Sequence, residues 1–257
     1  MHGAAFEPVA EGPRNASGRP NRVAPDGSVA ALADRGLFWG NRGQLLDDRG
    51  VMVRHSRGRN WIICRLEFND RHRAQWQPGR LTELYFLDEP TALAAGHRPC
   101  GECRHADYER FKAAWAVAHP GDEVGAVAMD RHLHADRLEA GGRHRIHEAA
   151  LDDLPDGVVV EHDDRFWLLQ GAQLHEWSFG GYVGARDRAS FPGVVVVRTP
   201  VATVGALRAG FEPVYHASMT KTSALLVTNR AGTTTRLVET GAGVAGNRAG
   251  ESDQPCG

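Results

Sequence analysis

Cys100 and Cys103 stand two residues apart in the turn Pro99-Cys100-Gly101-Glu102-Cys103. That spacing lets two thiolates reach one tetrahedral ion at roughly 2.3 Å, the geometry of a zinc site. Arg98, Arg104 and the start of a following helix all favour the deprotonated sulfur that a metal requires. Two other readings stay open. A redox motif shares the spacing, although it ordinarily follows a strand, whereas here a short helix and Gly96 come first. Packing cysteines are the third. Of the four cysteines, Cys64 lies on an apolar stretch and Cys256 sits next to last in a polar tail. So few cysteines in a chain of 257 residues form no disulfide framework.

A second chemical pattern is arginine. Every basic residue except Lys112 and Lys221 is arginine, and positions 54–80 hold Arg54, Arg57, Arg59, Arg65, Arg71, Arg73 and Arg80 against Glu67 and Asp70. Arginine suits bidentate phosphate contacts. Arg71, Arg73, Arg98 and Arg104 are therefore the candidate contacts to DNA or RNA. The competing readings are a GC-rich codon bias and a solvated loop paired with Asp88-Glu89. The net charge of −2 argues against a whole-molecule electrostatic grip on nucleic acid. A third pattern is Asp130, His134 and Arg137, which share one helical face at spacings of four and three. An aspartate orienting a histidine would make an acid–base site, whereas helical surfaces also produce such triples by chance. The sequence has no phosphate-cradling glycine loop, no Gly-x-Ser-x-Gly and no zincin motif.

The elements that must position these residues follow from periodicity. Residues 61–68 and 81–87 read as strands, being β-branched and aromatic. Asp88-Glu89-Pro90 opens a short helix over 91–95 that stops at Gly96. A longer helix over 104–118 carries Tyr108, Phe111 and Trp115 as one buried stripe, and another spans 123–139. The apolar runs 158–160 and 166–169 flank the turn His162-Asp163-Asp164, a hairpin signal. Further strands lie at 174–177 and 194–197, and Thr199-Pro200 starts a helix that ends at Gly210. The stop at Ala92-Leu93-Ala94-Ala95-Gly96 is echoed by Ala206-Leu207-Arg208-Ala209-Gly210, so the turn is generic and only its first copy carries cysteines. This order implies an α+β fold: a disordered leader (1–20), a strand-rich region with the metal module (21–120), a helical then β-rich region (121–228) and a flexible tail (229–257). No apolar run reaches the 18–20 or so residues that span a bilayer, and the start lacks a secretory signal. A cytoplasmic address is the expectation.

The segment Ala94-Ala95-Gly96-His97-Arg98-Pro99-Cys100-Gly101-Glu102-Cys103-Arg104, with the strand and short helix before it, resembles the second half of the metal-binding module of the Ada DNA-repair proteins. The resemblance covers residues 61–104, under a fifth of the chain. It implies one Zn2+ ion, with Cys100 and Cys103 as the closing pair and Cys64, after Trp61-Ile62-Ile63, as the first ligand. The chain departs from the family where its second cysteine would fall, at Phe68, and in a longer loop before Cys100. The fourth ligand is then a histidine, a water or nothing, with His72 the first choice and His97 and His105 behind it. In the family the first-strand cysteine accepts a methyl group from a DNA phosphotriester. Phe68, in place of a ligand, removes the basis for carrying that activity over. The resulting expectation is a nucleic-acid-associated zinc protein acting in DNA repair or regulation, with zinc mainly structural. An enzyme centred on His134 and a protein–protein adaptor are the alternatives.

Overall fold

A computed structural model describes residues 18–70, 75–139 and 142–220, and it is a mixed α+β structure. The leader and tail segments read from composition lie almost wholly outside the described residues, as do Arg71, His72 and Arg73. Among the described residues, no helix is long and apolar enough to cross a membrane.

Two six-stranded sheets carry the architecture. The first takes its strands from β1 (Arg22–Val23), β2 (Val29–Ala30), β3 (Phe38–Asn41), β4 (Ile62–Arg65), β5 (Leu84–Phe86) and β6 (Arg98–Pro99), in the order β2-β1-β5-β3-β4-β6. Most of its pairings are antiparallel, but β1 runs parallel to β5 and β4 parallel to β6. Between the sheets in sequence come helices α1 (Glu89–Ala94), α2 (His105–Ala118) and α3 (Ala126–Arg137). The second sheet comprises β7 (His147–Ala150), β8 (Val159–His162), β9 (Arg165–Gln170), β10 (Gln173–Ser178), β11 (Gly181–Asp187) and β12 (Val194–Val197), ordered β11-β10-β9-β8-β12-β7, and α4 (Val201–Arg208) follows. The anticipated β8–β9 hairpin is present, with Asp163 and Asp164 both at positive φ in its turn. Strands β7 and β11 carry no clear sequence signal, because one is polar and the other is interrupted by glycine.

Tyr108, Phe111 and Trp115 are buried on α2. They belong to one hydrophobic core that also takes Leu84 and Phe86 from the first sheet and Val160, Leu169 and Val197 from the second. The echoed helix stops are the same structure twice. Gly96 and Gly210 sit at φ 84° and 96°. Each is followed by a backbone N–H that closes on a carbonyl five residues back, His97 to Ala92 and Phe211 to Ala206. Glycine is required there because the left-handed conformation strains any residue with a Cβ.

Gly40 is required for a different reason. A Cβ on it would stand 2.0 Å from the Ile62 carbonyl oxygen and 2.9 Å from the Phe86 ring, so the β3–β4 pair could not close. Gly40→Ala is expected to lower stability by about 3 kcal/mol, the upper part of the overpacking range. A urea unfolding curve within 1 kcal/mol of wild type would contradict this close approach.

Trp61, just before β4, is fully buried between two guanidinium groups, Arg42 at 4.5 Å and Arg137 at 3.9 Å from its ring centre. His97 packs its ring on Trp61 and Phe86 and accepts a hydrogen bond from Arg42 Nε at 3.3 Å. This basic layer has a pH consequence. Burial, reinforced by Arg42, holds His97 well below the ordinary histidine range, His55 at about 3 and His144 at about 4. All three are neutral in the folded chain and take up protons when it unfolds below pH 6.5. The unfolded state then binds more protons, so stability falls as pH drops. Between pH 7.5 and 5.5 each histidine contributes roughly 1.4 kcal/mol of loss, at most about 4 kcal/mol together. The carboxyls of Asp88, Glu89 and Asp130, raised by burial, oppose it. Denaturant titrations across that range check the sign, and a chain more stable at pH 5.5 than at 7.5 would refute it.

Candidate metal centre

The sulfurs of Cys64, Cys100 and Cys103 lie within 4.8 Å of one another, and together these residues could hold a metal ion. All three are buried, with Trp39, Ile62 and Phe68 packed against them. Their convergence is a product of strand register. Cys64 sits on β4 opposite Trp39 of β3. On its other edge β4 pairs with β6, where Arg98 N–H donates to the Trp61 carbonyl and Cys100 N–H to that of Ile63. The parallel pairing thus sets Cys100 down one step beyond Ile63, beside Cys64. The turn brings Cys103 back within reach, and Glu102 N–H donates to Cys100 Sγ at 3.5 Å. Arg104 N–H then bonds to the Cys100 carbonyl and leads into α2.

The three sulfurs perturb one another's protonation. Close contacts with Cys103 and Cys64 hold the Cys100 thiol well below its ordinary range. The same crowding pushes Cys64 and Cys103 up. Three thiolates this close cannot coexist without a positive charge between them, which is what a divalent ion supplies.

The chain matches no known family model, no curated protein and no solved structure. The reading of the site therefore rests on its own residues.

Several anticipated site residues stand elsewhere. Arg98 is buried and makes a two-pronged ion pair with Asp130, at 2.8 and 2.7 Å. Arg104 is buried against Glu89 at 2.6 Å and Asp107 at 2.9 Å. Neither presents its guanidinium to a phosphate at the surface, because a buried charge needs its partner more than solvent does. The pairing of the arginine loop with Asp88-Glu89 is likewise replaced. Asp88 accepts from Thr91, Tyr182 and His216 as the cap of α1, and Glu89 takes Arg104 and the Val214 N–H. Arg54, Arg57, Arg59, Arg65 and Arg80 are the exposed members of the arginine segment among the described residues.

The helical triple does not assemble as an acid–base site. Asp130 points to Arg98, and Arg137 is tied to the carbonyls of Gly96 at 2.8 Å and Arg59 at 2.6 Å. His134 accepts only a long 3.4 Å contact from Arg137. Of the reserve ligands, His97 belongs to the Trp61 layer, and His105 meets the Gly101 carbonyl at 3.1 Å. Neither joins the cysteine cluster.

Two features escaped sequence reasoning. His119, Asp122 and His132 form a second cluster with metal-ligand proximity. It is partly exposed, and its members already bond to each other and to the Ala202 carbonyl. The other feature is a cavity of about 440 Å3 whose wall includes all three cysteines together with Trp39, Phe68 and Tyr85. The one signal available for it was Phe68, an apolar residue standing where the Ada-like pattern asks for a ligand.

Proposed function

We propose that this chain is a zinc protein in which Cys64, Cys100 and Cys103 hold one ion. The observation that carries this reading is the convergence of three buried sulfurs from strand β4 and the turn that follows β6. Sulfur-only donors favour zinc over magnesium or calcium, which take oxygen. The Ada-like pattern around Cys100 agrees with it. The ion fastens β4 to the start of α2 and so contributes to folding. Metal analysis of protein purified without chelators tests the reading. About one zinc per chain is expected, and metal-free protein that also fails to take up added zinc would end it.

Association with DNA or RNA is proposed on the exposed arginines of residues 54–80, in place of the buried Arg98 and Arg104. If the five exposed guanidiniums each neutralise one phosphate of a duplex, log K should fall with log[salt] at a slope of about −4.5. A gel-shift series in rising salt measures that slope, and binding that ignores salt would remove the proposal.

A further inference from the structure

A second set of donors lies apart from the cysteines, where α2 ends. His119 closes α2, and Asp122 follows through a turn in which its N–H bonds to the His119 carbonyl at 3.2 Å. His132 comes across from α3. One ligand atom of each residue lies within 4.8 Å of the other two.

Proximity alone makes no metal site, but the two imidazoles are also oriented for one. His119 Nε2 meets the Ala202 carbonyl at 3.0 Å. A carbonyl only accepts, so Nε2 carries the hydrogen and the lone pair sits on Nδ1. Asp136 in turn fixes Ala202, accepting its backbone N–H at 2.6 Å. A ligand histidine ordinarily has such a partner behind it, which sets its tautomer and raises its basicity. Buried Trp115 packs against both rings, at 4.3 Å from His119 and 5.2 Å from His132 between ring centres.

His132 Nδ1 and Asp122 Oδ2 are 2.9 Å apart, sharing one hydrogen. Neighbouring donors in an octahedral shell stand at nearly the same separation, about 3.0 Å for bonds of about 2.1 Å. An ion that replaces the shared hydrogen therefore finds this pair already spaced, once the proton of His132 moves to Nε2. The negative end of the α2 dipole also favours a cation there. The side chains of His132 and Asp122 are 39% and 43% exposed, so water can fill the rest of the shell. Two imidazoles and a carboxylate suit zinc, cobalt or nickel, whereas magnesium and calcium take oxygen ligands.

We infer that His119, Asp122 and His132 form a surface site for a divalent transition ion of the zinc class, which fastens the end of α2 to α3. The cysteines play no part in it.

Nickel titration of the full chain, first given one equivalent of zinc for the cysteines, tests the site. Trp115 touches both histidines, so bound Ni2+ should quench its emission saturably, with one ion per chain. Trp115→Phe should lose that quench while calorimetry still records the binding. His132→Ala and Asp122→Asn should each weaken binding about tenfold or more. Both changes fall at exposed positions, and circular dichroism on the same samples confirms that each variant is folded. Added Zn2+ should reverse the quench, whereas Mg2+ and Ca2+ should leave it unchanged. Cys100→Ser should bind Ni2+ at this site as wild type does. A signal that never saturates, or an affinity that neither His132→Ala nor Asp122→Asn moves, overturns the inference. So does a quench lost in Cys100→Ser but kept in His132→Ala, which would put the ion on the sulfurs. Failure here leaves the cysteine reading standing, and protein without zinc on its cysteines can still show this second site.

Discussion

Cys100→Ser is expected to leave purified protein with less than about a tenth of the wild-type metal and to lower its melting temperature by about 10 °C. Cys100 is one of three mutually close sulfurs, and its backbone N–H also ends the β4–β6 pairing. Its loss leaves two thiols from distant parts of the chain, too few to compete with water for zinc. The expected stability change is about 3–5 kcal/mol, well short of the 10–16 kcal/mol or so associated with isolated zinc fingers. The reason is that the core, from Phe86 through Phe111 to Val197, is assembled without the metal. The variant should therefore fold, melt early and no longer respond to chelator, while wild type treated with chelator should melt like the variant. Cys64→Ser should behave in the same way, and Cys256→Ser should keep its metal. Calorimetry with and without chelator reads all of these. Equal melting of wild type and Cys100→Ser would show that the three sulfurs are packing residues.

The cysteine turn was legible because its signals are local. Gly96, Pro99 and the two-residue spacing of Cys100 and Cys103 each act within one turn, and sequence spacing describes one turn well. Cys64 could be tied to them only through a resemblance, since its neighbour is chosen by the parallel pairing of Ile63 with Pro99, a contact between strands more than thirty residues apart. The arginines misled for a physical reason. Composition reports a charge but not its partner, and Arg98 and Arg104 find theirs in Asp130 and Glu89, 32 and 15 positions away. The acidic Asp88-Glu89 stretch was correctly read as a helix start. Its second role, anchoring α2 and the segment around Val214 from inside the core, belongs to tertiary structure alone. The cavity was invisible for the same reason, because its walls come from β3, β4, β5 and the cysteine turn.

The Glu89–Arg104 pair should show the second large effect, and an asymmetric one. Both side chains are at most 1% exposed and their charged atoms are 2.6 Å apart. Removing one member of such a pair strands the other charge away from water, which costs about 3–5 kcal/mol. The two survivors differ in how they can respond. In Glu89→Ala the guanidinium of Arg104 cannot shed its proton at any ordinary pH, and Asp107, partly exposed, is its remaining partner. In Arg104→Ala the carboxyl of Glu89, already raised by burial and no longer opposed by arginine, can take up a proton instead. Glu89→Ala should therefore be the more damaging change at pH 7.5. Arg104→Ala should recover relative to wild type as pH falls. Its folded state binds a proton that the unfolded chain does not, so the recovery is complete below the ordinary glutamate range and is lost as pH rises through the raised value. Glu89→Leu combined with Arg104→Met removes both charges, and should be less damaging than either alanine alone. Because Arg104 directly follows Cys103 and opens α2, Glu89→Ala should also weaken metal binding, whereas the double variant should restore it. Denaturant titrations at pH 7.5 and 5.5, with metal content measured on the same samples, decide between this coupling and two independent surface-like charges, for which the single effects would simply add.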